Sequence, residues 1–336
     1  MNKSTFDIPV ALFLFLREEK SVEIIKRISK IKPSVLYLIA DGGRTKEEHQ
    51  AALRTRAAVE KEIDWECKVI KRYADENVGV YGNIGEGAKW VLSQEKWAIF
   101  IEDDNLPELT FFEYCKELLI RYEKEERVLW ICGTNYLGKY DSPYSYMFTS
   151  NLLPCGWASW SKKFLKYYDG ELETFKPERD WKVLKAKYRN KALAKQDFNN
   201  FCVEKQRYRD GRRFISWDYQ MAYTLRKYDL IGISPVCNQI KNIGVDSLSI
   251  HGGSSESSIM TQRLCGMDSF PLEFPLRHPT SLVIDKKYEH IISRIILVPL
   301  KIRARNSTLR VFRKILHVQP GEHLKDKILF RSKKRK

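Results

Sequence analysis

Glu102, Asp103 and Asp104 stand in a row directly after the apolar run Trp97-Ala98-Ile99-Phe100-Ile101. An apolar run this short, with nothing in it to offset charge, suits a central strand buried on both faces. In open α/β sheets the carboxyl ends of such strands face the ligand crevice. Three adjacent carboxylates repel one another and raise each other's pKa unless a cation neutralises them. A divalent metal is the economical cation. A small all-oxygen donor set suits Mg2+ or Mn2+, whose shell is shared with substrate phosphates. The competing reading is a strand that runs out into a solvated acidic turn.

The elements that must position these acids alternate in type. Val10 to Leu16 is strand-like, and Ser21 precedes an amphipathic pattern with Val22, Ile24, Ile25 and Ile28 on one side, so Ser21 is expected as the helix cap. Val35 to Ala40 is a second strand ending in Asp41-Gly42-Gly43, followed by a charged helix from about Lys46 to Lys61. Cys67 to Ile70 gives a third strand, Asn83 to Gln94 a helix, Leu109 to Glu125 another helix, and Val128 to Cys132 another strand. This order implies a mostly parallel sheet with helices on both faces. Parallel strands then bring the turns at Arg17-Glu18-Glu19, Asp41-Gly42-Gly43 and Glu102-Asp103-Asp104 to one edge. Neither GxGxxG nor GxxxxGK[ST] occurs, and the glycines at Gly79, Gly82, Gly85 and Gly87 match neither spacing.

Beyond residue 150 the texture changes. Asn151 to Trp160 reads as a loop with two tryptophans, residues 161 to 213 are charged and helical, and Ser216-Trp217-Asp218-Tyr219 opens a helix reaching about Tyr228. Leu230 to Ile233 reads as a last strand, and 242 to 258 as a Gly/Ser-rich loop that includes Asn242, Gly244 and His251.

The 336 residues are 43% hydrophobic, enough for a real core and against disorder. Net charge is +16, of which +12 falls in residues 284–336 and only +4 in the rest. A balanced body with a basic end points to an anionic partner for that end: a membrane surface or nucleic acid. Seven scattered cysteines without CxxC fit buried thiols better than a zinc site or disulfide framework. Ile8 to Leu16 carries Asp7 and Pro9 in front and lacks a small-residue cleavage site, so it reads as a strand and not a secretory signal. No apolar run reaches the roughly 18 residues of a spanning helix.

The ordered set Pro9 to Arg17, Asp41-Gly42, Ile101-Glu102-Asp103-Asp104 with Phe111-Phe112-Glu113-Tyr114 after it, Gly156-Trp157 with Trp160, and Trp217-Asp218 resembles a known family. It is similar to nucleotide-sugar glycosyltransferases of the GT-A fold, within them N-acetylglucosaminyltransferase I and its bacterial relatives. The matching stretches span about residues 8 to 255. The resemblance implies an α/β, Rossmann-like GT-A sheet over residues 1–283 (a nucleotide-binding half, 1–135, and an acceptor half, 136–283) and a basic helical tail over 284–336.

It also implies roles. Asp104 would bind Mn2+ or Mg2+, and the metal would stabilise charge on the departing nucleotide. Glu102 and Asp103 would hold sugar and ribose hydroxyls. Arg17 and Asp41 would contact the nucleotide, though from the residues alone Arg17 reads equally as surface charge and Asp41 as a turn residue. Asp218 would be the general base that takes a proton from the acceptor hydroxyl. By position alone it is as readily a helix N-cap. Gly156 and Trp157 would form a loop over a sugar, an indole suiting the apolar face of a pyranose. His251 would be a late metal or phosphate ligand on a lid.

The expected activity is thus inverting, metal-dependent transfer of a sugar, N-acetylglucosamine by resemblance, from a UDP-linked donor to a glycan or lipid-linked acceptor, as in polysaccharide or lipopolysaccharide synthesis. Ile291-Ile292, Ile295 to Val298, Leu300, Leu309, Val311-Phe312 and Ile315-Leu316, interleaved with Lys and Arg, fit amphipathic helices on an anionic bilayer. That places the protein in the cytoplasm, peripheral on the inner face of the cell membrane. A nucleic-acid partner fits the tail's charge but not the balanced body. A sugar nucleotidylyltransferase would need a Gly-rich phosphate loop after the first strand, and Leu16 to Lys20 has no glycine.

Overall fold

The computed structural model describes residues 6–245, 259–305 and 308. The first half is a run of β-α units. β1 (Val10–Leu14), α1 (Glu18–Ile28), β2 (Val35–Ala40), α2 (Lys46–Lys61) and β3 (Lys68–Tyr73) are followed by a single π-type segment at Tyr81–Gly85, α3 (Glu86–Leu92) and β4 (Trp97–Glu102). All pairs among these strands are parallel, in the spatial order β3-β2-β1-β4. Leu12 of β1 lies between Leu38 of β2 and Ile101 of β4. β1 is buried at all five positions, as its uniformly apolar sequence requires of a strand covered on both faces.

The second half adds β5 (Asn105–Pro107), α4 (Leu109–Arg121), β6 (Val128–Cys132), β7 (Tyr146–Thr149), β8 (Trp157–Trp160), α5 (Ser161–Tyr167), α6 (Pro177–Lys187), α7 (Lys191–Arg209), α8 (Asp218–Lys227), β9 (Ile231–Pro235), β10 (Ile240–Asn242), α9 (Ile259–Leu264) and α10 (Lys286–Ile296). The main sheet has eight strands, β3-β2-β1-β4-β8-β6-β9-β7, of which β8 and β7 run against the rest. β5 and β10 form a small antiparallel pair beside it. This is the expected α/β architecture with a mostly parallel sheet flanked by helices.

Alternation divides the side chains between two layers. On one face Leu12, Leu14, Ile99, Ile101, Ala158 and Trp160 pack with Ile24, Ile25 and Ile28 of α1 and with Phe111, Phe112, Cys115 and Leu118 of α4. On the other face rings stack across the strands. Phe13 lies on Phe100 at 5.9 Å, Phe100 on Trp157 at 4.0 Å, and Trp157 on Trp130 at 4.2 Å. Trp217, just ahead of α8, closes the row at 5.5 Å from Trp157. Each such pair contributes about 0.5–1.5 kcal/mol beyond its buried area.

Four expectations need correction. Ser21 is not a cap: α1 begins at Glu18, and Ser21 is buried within it, its N–H bonded to the Arg17 carbonyl at 2.8 Å. The segment expected as a tryptophan loop contains β8, a strand inserted between β4 and β6 and buried at every position. Four residues are too short a run to show alternation, so the strand was hidden. Leu230 to Ile233 is not the last strand, since β10 follows. The body also runs past residue 283. Tyr288 and Ile292 of α10 are fully buried. Glu289 accepts from Thr149 and Ser150 at 2.5 Å each and faces Arg226 at 3.4 Å. One compact unit therefore extends to Ile295, and a second begins at Ile296. Periodicity marked an amphipathic helix here but could not show that protein covers its apolar face. Leu309 to Leu316 lie outside the described residues. No described helix is long and apolar enough to cross a membrane, and all seven cysteines are free.

Candidate active site

Because β2, β1 and β4 are parallel neighbours, their carboxyl ends bring Asp41, Phe15–Arg17 and Glu102–Asp104 to one edge of the sheet. Arg17 occupies the N-cap position of α1 and turns its guanidinium across the crevice. Its Nη1 lies 2.8 Å from Asp103 Oδ1 and 3.2 Å from Asp104 Oδ2. The acidic triplet thus has a cation from within the chain, and its charge alone does not require a metal. Asp103, 5% exposed, also accepts the Phe15 N–H through Oδ2 at 3.0 Å, fastening β4 to the end of β1.

Glu102 projects to the same side of β4 as Phe100, towards the second half of the chain. Burial pushes its carboxyl well above the usual carboxylate range, Asp104, Asp103 and Asp218 push it further, and Arg17 opposes them. A protonated Glu102 can donate a hydrogen bond as well as accept one.

Asp104 is clasped by the strand pair β5–β10. Asn105 stands opposite Asn242 in register, with Asn242 Nδ2 3.3 Å from Asn105 Oδ1. The chain then bends back over the acid, the Ile243 N–H donating to the Asp104 carbonyl at 2.8 Å. Gly244 comes so close that a Cβ there would lie 2.3 Å from Asp104 Oδ2. Among the described residues no three His, Cys, Asp or Glu side chains converge as a self-sufficient metal cage. Asp104, its side chain 18% exposed, fits a different kind of ion: one that takes a single protein carboxylate and shares the rest of its shell with phosphates and water. His251 lies outside the described residues.

From the second half comes Asp218, the first residue of α8. The cap of that helix is Ser216, whose Oγ accepts the Tyr219 N–H at 2.9 Å and donates its own proton to Asp218 Oδ1. The carboxylate of Asp218 is therefore oriented by the cap instead of being the cap. Trp217 is 4% exposed and its carbonyl accepts from the Tyr168 hydroxyl at 3.0 Å, which fixes the backbone ahead of Asp218.

Three expected contacts take other tasks. Asp41 is 4% exposed, and four N–H groups already fill its oxygens: Gly42 and Val78 on Oδ1, Asn77 Nδ2 and Gly79 on Oδ2, at 2.6–3.0 Å. It clamps the loop after β3 and has no lone pair left for a nucleotide. Trp157 does not lie over a ligand; it is 1% exposed in the middle of the ring stack. Gly156 is there for packing. Its φ is +57°, and a Cβ would meet Ile240 Cδ1 at 2.4 Å.

Sequence reading missed Gly244, whose role depends on a contact across some 140 residues. Ser216 was visible: a Ser three residues ahead of a helical N–H is a capping signature.

No family model matches the sequence, and no curated protein matches it. Solved structures do. A mannosyltransferase from Pyrobaculum calidifontis in complex with GDP-Man and Mn2+ is 10% identical at a TM-score of 0.36, over 67% of this chain and 70% of that one. A UDP-glucose pyrophosphorylase complexed with UDP-glucose is 11% identical at 0.35, over 70% and 94%. A glucosyl-3-phosphoglycerate synthase from Mycobacterium tuberculosis is 19% identical at 0.26, over 39% of this chain, which spans 44% of the synthase's length. Likeness at this level leaves the side chains at the carboxyl edge of the sheet and at the head of α8 to carry the functional reading.

Proposed function

We propose that this chain is an inverting, metal-dependent glycosyltransferase. It moves a sugar, N-acetylglucosamine first among the donors to test, from UDP to a glycan or lipid-linked acceptor. The observation that carries this reading is that packing draws two acids from opposite halves of the chain together: the ring row Phe100–Trp157–Trp217 joins β4, which ends in Glu102, to the residue just ahead of Asp218. Inverting displacement at an anomeric carbon needs a proton acceptor on the face away from the leaving group. With Arg17 and Asp104 serving the donor and Asp218 the acceptor, these tasks would be divided.

Arg17 would bind the donor's diphosphate by charge-assisted hydrogen bonds. Asp104 would hold the divalent ion, which when bound supplies positive charge to the leaving phosphate. Glu102 would hydrogen-bond a sugar hydroxyl. Asp218, oriented through Oδ1 by Ser216, would take the acceptor's proton. The chain from Ile296 on carries 13 Lys/Arg against 2 Asp/Glu, a balance that would favour an anionic bilayer bearing the acceptor.

Titration calorimetry and a UDP-release assay test the reading. Asp104→Ala should abolish Mn2+-dependent UDP binding. Asp218→Asn should bind UDP normally and lose UDP release from UDP-N-acetylglucosamine. Undiminished binding in the first variant, or undiminished turnover in the second, removes that residue from the mechanism.

A further inference from the structure

The glycosyltransferase reading leaves one buried acid without a task. Glu204 sits in the last third of α7, among a run of charged residues, yet it is fully buried. A carboxylate hidden this completely costs several kcal/mol unless partners take up its lone pairs. Its Oε2 accepts the backbone N–H of Ile215 at 3.0 Å, whereas Oε1 is buried without a hydrogen bond. Burial raises its pKa, and the N–H groups of Ile215 and Ser216 oppose that rise.

Those two N–H groups belong to the connection that delivers Asp218. Ser216, next in the chain, is itself fully buried, and its Oγ both caps α8 and hydrogen-bonds Asp218. The connection is also fastened where the Tyr168 hydroxyl donates to the Trp217 carbonyl and where Gln220 Nε2 donates to the Ser216 carbonyl at 3.0 Å. Glu204 therefore grips the donor side of the same peptide segment whose acceptor side Tyr168 grips. Resting on the function proposed above, we infer that Glu204 is a positioning residue for the general base: through the backbone at Ile215 it fixes Ser216, and through Ser216 the direction of the Asp218 carboxylate. A leucine of similar size would stabilise the core as well or better, so a buried carboxylate with an orphaned oxygen has its explanation in geometry it imposes.

The test compares Glu204→Leu, which removes both acceptor oxygens, with Glu204→Gln, which keeps one for the Ile215 N–H. UDP release from UDP-N-acetylglucosamine with Mn2+, UDP affinity by calorimetry, and hydrogen exchange of residues 215–219 are measured on the full chain. Glu204→Leu should lower kcat about 10- to 100-fold, the range expected for a misaimed catalytic group. KM and UDP affinity should stay within about twofold, and exchange at 215–219 should rise at least about tenfold. Glu204→Gln should recover most of both kcat and protection. Wild-type kcat or wild-type protection in Glu204→Leu overturns the inference. A parallel loss of UDP affinity and thermal stability, with no recovery in the glutamine variant, also overturns it, by showing general destabilisation. If the wild-type chain releases no UDP, the transferase reading fails, and the exchange comparison still decides whether Glu204 holds the segment.

Discussion

The Cα of Gly244 rests against the carboxylate of Asp104, with room for hydrogen but none for a methyl group. The two residues meet because β10 pairs with β5, which starts immediately after the acid. Gly244 thereby limits the directions that Asp104 can take without adding a charge or a ligand of its own.

Gly244→Ala tests that limit. The added Cβ would fall 2.3 Å from Asp104 Oδ2, so either the acid or the loop must move. Mn2+-dependent UDP affinity should drop about tenfold, equivalent to about 1.4 kcal/mol, with little change in Tm. Calorimetry and a melt on the same sample check both halves, and an unshifted Kd shows that Asp104's direction is irrelevant to binding.

Arg17 is the cation that lets three acids share one edge. Arg17→Met should leave the carboxylates of Asp103 and Asp104 repelling each other without its guanidinium and destabilise the fold by about 1–3 kcal/mol at low salt. Mn2+ replaces the lost charge, so millimolar Mn2+ should raise the Tm of Arg17→Met by more than that of the parent. Equal shifts would place the metal away from these acids.

Asp197, on α7, has its carboxyl pushed up to about 7 by burial, against the pull of the Tyr188 hydroxyl and of Arg226 and with Asp218 adding to the rise. A carboxyl raised above its unfolded value binds its proton more tightly in the folded chain. Its contribution to stability is complete below about pH 4 and is lost as pH rises through about 7. Between those limits stability should fall with pH by at most about 1.4 kcal/mol per unit from this group. Denaturant titrations from pH 4 to 8 should show a flatter profile for Asp197→Asn. An identical slope in the variant assigns the pH dependence to other groups.

The alternation of strand and helix over residues 10–132 was legible because it depends on local chemistry. Apolar runs of five or six residues make buried parallel strands, and amphipathic spacing makes the helices between them. Parallel pairing then follows from connection length, which places Arg17 and the triplet Glu102–Asp104 on one edge without further information. The sequence by itself also placed a helix start at Ser216 to Tyr219; that Ser216 and not Asp218 takes the free N–H there was decided by the structure.

Only the tertiary structure decided which of these groups have capacity to spare. Asp41 and Asp103 look alike as acids at strand ends. The first has four N–H donors, three of them brought to it by the loop after β3, and the second takes the end of β1 and Arg17. Trp157 has the same indole whether it covers a sugar or fills a core; the insertion of β8 between β4 and β6 put it in the core. Gly244 against Asp104, Glu204 beneath Ile215 and α10 on the body are likewise contacts between residues far apart in the chain. Local propensity and period act over a few residues, whereas the saturation of a carboxylate or the covering of a face depends on what long-range packing delivers to it.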